Sequence, residues 1–341
     1  MTESKFKAFT SAELSNDEYH DPESWCAEYV SGSGLAKIYA SCPAAWKFEA
    51  RNQSRALVFG TQAHTNFESA ELFAKTYRRS VPASEIKDVL TSQTAVSAKL
   101  KSFGIPGTSG KQWPELLKMY ADCGEDLNIL YLIGLIEQSE AWAEGRELVR
   151  AEDYDACVAM RSVLEAIPKH AECMNSPTAQ RELSLFGEVH GVKVKVRIDH
   201  VDVIENYEID SVLYPEVVVI TDYKSTQSAN PSEFDRLAYN HGYYLKMALQ
   251  RDLFVKTYNE KRPVVVRLLA QEKKEPFLPI AFVMQDEQLK IGRIQYGSVI
   301  HQYRVCVEND VWPSYENGEP EVKLPTPEWV KRLYPQVFET K

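Results

Sequence analysis

Between Val192 and Asp199 the chain alternates strictly, with Val192, Val194, Val196 and Ile198 set against Lys193, Lys195, Arg197 and Asp199. A period of two sends successive side chains to opposite faces of an extended strand, so this stretch is a strand with one buried face. A second run, Val217-Val218-Val219-Ile220, is apolar without a break. It suits a strand buried on both faces of a central sheet. Helical patterns precede and follow these runs, which points to an α/β core with a helical N-terminal half packed on it.

The remaining elements fall around those strands. Leu35, Ile38 and Tyr39 give a short helix pattern, and Cys42-Pro43 opens a second one to Glu49, since proline suits the first helical position. Ala56 to Lys75 reads as a longer helix entered through Phe59-Gly60. Residues 80–115 mix Pro, Gly, Ser and Thr and read as a connection with one short helix. Helical patterns return at Glu115 to Tyr120 and Glu152 to Ala171. The β-rich part runs from Glu182 to Ile220, with Asn206 to Pro215 as a loop or hairpin connection. A helix from about Ser232 to Tyr258 is followed by strands at Val264 to Gln271 and Ile280 to Met284. The last long helix covers Glu287 to Val307. Residues 1–30 are expected to form an arm. Residues 31–335 are expected to form one domain: a mainly helical part (31–175), an α/β core (176–312), and a proline-rich tail (313–341) running past its end.

The 341 residues are 44% hydrophobic and 26% charged, which is ordinary globular composition and excludes a disordered chain or a disulfide mini-domain. The longest apolar stretch, Leu127 to Ile136, is about half a membrane span. The first residues carry Glu3, Glu13, Asp17 and Glu18 and lack an apolar h-region, so a cytoplasmic protein with no membrane partner is expected. The six cysteines form no CxxC pair, which fits reduced thiols better than a zinc site or a secreted disulfide frame. A net charge of −10 argues mildly against nucleic acid as a partner. A local basic groove would still attract a phosphate backbone.

The sharpest chemical signal is Asp222-Tyr223-Lys224, after the apolar strand. Residues i and i+2 of a strand share a face about 6–7 Å apart, so carboxylate and amine project into one place. Asp199 is read as ending the preceding strand, and if the two strands are neighbours, Asp199 and Asp222 converge on one cation. Hard carboxylate oxygens, water and a phosphate oxygen are what Mg²⁺ prefers. A nearby lysine can orient or deprotonate an attacking water, or offset charge in the transition state. Glu182 opens the first β segment and is either a third carboxylate or an exposed strand-end residue. Asp202 is read as structural and Asp210 as solvated, and His200 has the wrong strand parity for the site. His64 and Glu68 stand at i and i+4 on one helix face, behind Gly60. Lys193, Lys195 and Arg197, and separately Lys47, Arg51 and Arg55, either line a groove or form solvated faces.

Together these elements resemble the PD-(D/E)xK nuclease superfamily, and more closely the RecE (exonuclease VIII) type of phage exonuclease. The parts are Ser33-Gly34-Leu35 with Ser41-Cys42-Pro43-Ala44, Phe59-Gly60-Thr61 with His64, the Glu182 strand, Arg197-Ile198-Asp199, Thr221-Asp222-Tyr223-Lys224, His241-Gly242-Tyr243, and Val311-Trp312-Pro313. The ordered set, spanning about Ser31 to Trp329, is far more specific than any member. The resemblance implies a restriction-endonuclease-like α/β fold, with a mixed central sheet flanked by helices. It implies Asp199 and Asp222 as metal ligands joined by the Tyr223 carbonyl, Lys224 as catalytic lysine, and His64 and Glu182 beside the metal. Ser33, Arg197, Tyr243 and Lys246 are the expected DNA contacts. Related nucleases often carry Gln-x-x-x-Tyr on the helix after Asp-x-Lys, whereas this chain has Lys246 and Gln250 there.

The implied function is Mg²⁺-dependent exonuclease action on linear double-stranded DNA ends, with Mn²⁺ as a substitute and one or two ions per site. Polarity 5′→3′, a homo-oligomeric ring and a single-strand annealing partner follow from the same resemblance, in a bacterial or phage-infected cell. Two alternatives stand beside it. One is an endonuclease, or a helicase- or CRISPR-associated module, of the same fold. The other is an inactive DNA-end-binding or partner-docking protein.

Overall fold

The alternating and apolar runs become the long strands of a seven-stranded mixed sheet, seen in a computed structural model that describes residues 5–50 and 54–338. In chain order the N-terminal part contains β1 (Lys7–Phe9), α1 (Asn16–His20), β2 (Val30–Ser31), α2 (Gly32–Ala40), α3 (Pro43–Phe48), α4 (Arg55–Glu68), α5 (Ala70–Thr76) and β3 (Tyr77–Arg79). Then follow α6 (Gln93–Ser102), α7 (Trp113–Ala121), α8 (Leu130–Ala143), β4 (Glu147–Val149), α9 (Ala151–Glu165) and α10 (Pro168–Asn175). The C-terminal part contains β5 (Gln180–Val189), β6 (Val192–Ile209), β7 (Val212–Thr226), α11 (Pro231–Asn240), α12 (Tyr243–Tyr258), β8 (Val264–Glu272), β9 (Pro279–Val283), α13 (Asp286–Asn309), α14 (Glu328–Leu333) and α15 (Pro335–Phe338).

The main sheet runs β1-β5-β6-β7-β8-β9, with β2 on β6 beside this path, while β3 and β4 pair separately. On one face, α2, α12 and α13 cover Val194, Val196, Ile198, Val218, Ile220 and Val266. On the other, α4 and α9 enclose Tyr223 and Leu269, and Phe67 stacks on Tyr223 at 4.6 Å. Helices α6 to α8 hold a small core of their own around Val96, Leu100, Leu116 and Ile129.

The edge of β6 that faces away from β5 is shared by two partners. Parallel β2 takes Val194 and Lys195, and antiparallel β7 takes His200 to Ile209. Between them the backbone around Arg197 and Asp199 lies in a fork, and side chains complete its hydrogen bonding. Gln250 Nε2 donates to the Arg197 carbonyl at 3.1 Å, and Tyr223 N–H donates to Asp199 Oδ2 at 2.9 Å. Buried backbone polar groups need partners, and the fork supplies them without a third strand. The strand also changes face here, because Ile198 and Val201 join the same core three residues apart.

Several expectations are corrected. The segment expected as an arm builds β1 onto β5 and buries Leu14, Tyr19 and Cys26 against Phe186, because those apolar side chains cover a patch the sheet leaves open. Asp199 does not end a strand, since β6 continues to Ile209. Of the two readings of Asn206 to Pro215, loop or hairpin, the hairpin holds: the segment is ladder, turned at Asp210-Ser211 with both residues at positive φ, as two-residue hairpins of right-handed twist require. The helix read over Ala56 to Lys75 restarts at Ser69, whose hydroxyl accepts from Leu72 N–H. The helix read over Ser232 to Tyr258 breaks at Gly242 (φ 66°). The apolar stretch Leu127 to Ile136 opens the unforeseen α8.

Candidate active site

The fork gathers the acidic residues. Between the pairs Arg181↔His200 and Leu183↔Ile198, Glu182 on β5 stands across from Asp199 on β6. Continuing the β6–β7 register one step past His200↔Thr221 places Asp222 across from Asp199 on the other side. Three carboxylates therefore lie in one row over three adjacent strands, where cross-strand neighbours are closest. Glu182 itself adopts φ 52°. A left-handed conformation is costly for a residue with a Cβ and persists where its surroundings enforce it.

Helix α4 lays His64 over this row. Its Nε2 lies 3.0 Å from Asp199 Oδ2 and its Nδ1 3.6 Å from Glu182 Oε1. One ligand atom each from His64, Glu182 and Asp199 lie within 4.8 Å of one another. Asp222 falls outside that tight set, and the Lys224 ammonium pairs with its Oδ2. The same ammonium approaches no other carboxylate as closely: it stands 3.7 Å from Asp199 Oδ2 and donates to the Tyr223 carbonyl at 2.9 Å. It is thus surrounded by the three oxygens expected from the sequence as cation ligands.

The electrostatics follow from burial and these contacts. Burial disfavours protonated His64, but Asp199 and Glu182 outweigh it and raise the imidazole to about 9. Burial would raise the Asp199 carboxyl, yet Lys224 and His64 hold it well below the usual carboxylate range. Burial raises Glu182 to about 7, with Asp199 and Glu68 adding to the effect and His64 and Arg197 opposing it. Burial and then Asp199 push Asp222 upward. Burial acts against the Lys224 ammonium, and Asp222 and Asp199 overcome it, so the lysine stays charged. Lys246 is lowered to about 8 by burial and by the neighbouring Lys224 charge.

These residues fit a divalent cation. The donors are hard carboxylate oxygens, a carbonyl and one imidazole. Glu182 Oε1 is buried with no hydrogen-bond donor, and Asp222 Oδ2 has none apart from its ion pair. A Lys224 ammonium seated among the Asp222, Asp199 and Tyr223 oxygens shows that the pocket is built around positive charge.

The other expected residues are placed as follows. Ser33 lies at the start of α2, its hydroxyl 3.0 Å from that of Ser31, and lines the same small pocket as Asp199, Asp222 and Lys224. Tyr243 and Lys246 also reach the site, with the Lys246 ammonium 4.4 Å and the Lys224 ammonium 5.8 Å from the Tyr243 ring centre. Arg197 lines both openings of the site, its Nε 3.9 Å from Glu182 Oε2, and is braced from behind. Its guanidinium donates to Ser184, Asn16 and the Leu14 and Ser15 carbonyls, and covers the Tyr19 ring at 4.2 Å. Lys195 donates to the Tyr19 carbonyl and Lys193 pairs with Glu28. The basic stripe of β6 is therefore strapped by the N-terminal segment, with Arg197 alone of the three lining the site openings. Lys47 covers Trp312 at 4.9 Å and Arg55 pairs with Asp153, while Arg51 lies outside the described residues. His200 is buried on Cys173, its Nε2 2.8 Å from that carbonyl, and Asp202 accepts from Thr178.

The sequence reading missed two contributors. Gln250, which the sequence marks only as a departure from Gln-x-x-x-Tyr, ties α12 to the fork. Asn16 lines both openings of the site, a cleft of about 820 Å³ and a pocket of about 260 Å³, and nothing in its local sequence signals this.

Residues 33–322 match the family described as a PDDEXK-like domain of unknown function (DUF3799). The chain belongs to that family. Its PDDEXK-like fold agrees with the mixed sheet and flanking helices described above. A crystal structure of a "Putative exonuclease" from Eubacterium rectale is similar in fold, with a TM-score of 0.50 and 14% identity, covering 94% of this chain and 97% of that one. No curated protein matches the sequence. Among the described residues, no helix is long and apolar enough to cross a membrane.

Proposed function

We propose that this chain is a nuclease that hydrolyses DNA phosphodiesters with a divalent cation, acting as an exonuclease on the ends of linear duplex DNA. The observation that carries the reading is the meeting of Glu182, Asp199, Asp222 and Lys224 at the β6 fork, within a PDDEXK-like fold. The exonuclease refinement is supported by the RecE-type motif order and by the description of the Eubacterium rectale neighbour. Mg²⁺ is the proposed ion, with Mn²⁺ able to replace it. Resection is proposed to run 5′→3′ and leave a 3′ strand for an annealing partner, with the enzyme working as a homo-oligomer in the cytoplasm.

His64, Glu182, Asp199, Asp222 and the Tyr223 carbonyl would hold the ion. When bound there, a divalent cation supplies Lewis acidity toward the phosphate and offsets its charge. The rest falls to the chain. Lys224 stays protonated between Asp222 and Asp199 and presents a fixed positive charge where negative charge develops as water attacks in line. Tyr223 holds Asp199 in place through its N–H, and its buried hydroxyl is locked on Gln271 at 2.8 Å. Preorganised positions of this kind lower the reorganisation cost of the reaction.

The test is digestion of a linear duplex labelled at its 5′ or 3′ end, with Mg²⁺ or with EDTA. Wild-type protein releases label only with the metal. Asp222→Ala and Lys224→Ala fold and bind DNA but lose at least about two orders of magnitude in rate, roughly 3 kcal/mol of barrier. Full activity in either variant refutes this placement of the site. Equal attack on closed circular DNA would favour an endonuclease instead.

A further inference from the structure

Lys246 is the cation of the site that the reading above leaves without a task. Tyr243, Lys246 and Gln250 lie three and seven residues apart on α12, along one face of the helix. All three border the cleft or pocket that also holds Asp222 and Lys224. Gln250 is tied to the β6 backbone and Lys224 to Asp222, but among the described residues no carboxylate lies within ion-pair distance of Lys246. Its close partner is the Tyr243 ring. A deeply placed ammonium that forms no ion pair is costly unless a ligand completes it.

The acidic groups show where that ligand goes. The one tight set of ligand atoms among the described residues belongs to His64, Glu182 and Asp199. A second dication would have to rest on Asp222, beside the Lys224 ammonium that pairs with its Oδ2 and in the small pocket that Lys246 also lines. Two like charges in that pocket oppose a second ion there. We propose that the site works with one resident divalent cation, and that Lys246 takes the place of a second by contacting a non-bridging oxygen of the scissile phosphate from the Asp222 side. This deepens the nuclease reading and rests on it. Lys246 transfers no proton: one P–O bond forms from water, one ester P–O bond breaks, and the protons of water pass to the leaving oxygen and to solvent. Its part is to neutralise charge from a position that no carboxylate has already claimed.

Mn²⁺ titration followed by electron paramagnetic resonance counts ions per chain, and cleavage of a linear duplex in Mn²⁺ gives kcat and KM. The wild-type protein is expected to bind one Mn²⁺ per chain. Lys246→Met keeps that site, and keeps duplex binding in Ca²⁺, within about threefold, while kcat falls about 100-fold. Lys246→Glu gains a second Mn²⁺. The inference is overturned by two Mn²⁺ ions in the wild-type protein, by a Lys246→Met variant that changes only KM, or by a Lys246→Glu variant that still binds one ion. A wild-type chain that binds Mn²⁺ but leaves the duplex intact refutes the nuclease reading and this inference with it, whereas cleavage with two bound ions refutes the inference alone.

Discussion

Asp222 and Lys224 announce themselves in the sequence because a strand's period of two dictates that they share a face, whatever the rest of the fold does. Asp199 needed one more fact, the neighbouring of two strands, which its own motif does not contain. Arg197 shows a related limit: parity gives its face, but a face says nothing about the N-terminal segment that braces it. The same distinction between local and distant partners governs Glu260. Its carboxylate accepts from the N–H groups of Lys261 and Arg262 and from the Arg262 guanidinium, and that pairing lowers it from 4.5 to about 2. The unfolded chain then binds the extra proton first as the pH falls. The contribution is therefore complete above about pH 4.5 and is lost as the pH drops toward 2. Glu260→Gln is expected to cost about 1 kcal/mol at neutral pH, a figure reduced by solvent screening. In urea unfolding the gap between the variant and wild type should close across that acid range, and a gap independent of pH would contradict it.

Among the elements, those with strong periodicity were legible: β6 in its first half, β7, β8 and α13. Their ends were not. The hairpin at Asp210-Ser211 and the break at Gly242 depend on positive φ values that the neighbouring sequence only permits. The fork was invisible, because β2 is two residues long and its partner is distant in sequence. Helix packing shows a similar dependence on one residue. A Cβ on Gly292 would stand well inside contact distance of the Tyr244 carbonyl and 2.8 Å from Ala248 Cβ, so α13 can lie on α12 only with glycine there. Gly297, on the same helix, has nothing within 4 Å of such a Cβ. Gly292→Ala is expected to lose about 1–3 kcal/mol by overpacking, and Gly297→Ala to gain up to about 1 kcal/mol of helix propensity. Urea midpoints measure both, and equal shifts of the same sign would contradict the packing account.

At the scale of the molecule, the order of helices and strands gave the α/β class, but the role of the first thirty residues was hidden. Their apolar side chains, Leu14, Tyr19 and Cys26, are spaced too irregularly to mark an element, yet they form a core with Phe186 and their backbone holds Arg197 and Lys195. A chain shortened to begin at Val30 keeps all of the family-matched region. It is nevertheless expected to lose several kcal/mol, since each buried side chain of this size contributes about 1.5–3 kcal/mol. An unchanged urea midpoint would show that the segment is a dispensable strap.

The central claim is that carboxylates from adjacent strands close around one divalent cation beside an ammonium. Anomalous diffraction from crystals grown with Mn²⁺ tests this most directly. The account predicts a manganese peak at coordinating distance from Asp199 and from Glu182 or Asp222, with Lys224 beside it and charge-paired, and no such peak in an Asp199→Asn crystal. Manganese bound elsewhere on the surface, with the β6 fork empty, would contradict it.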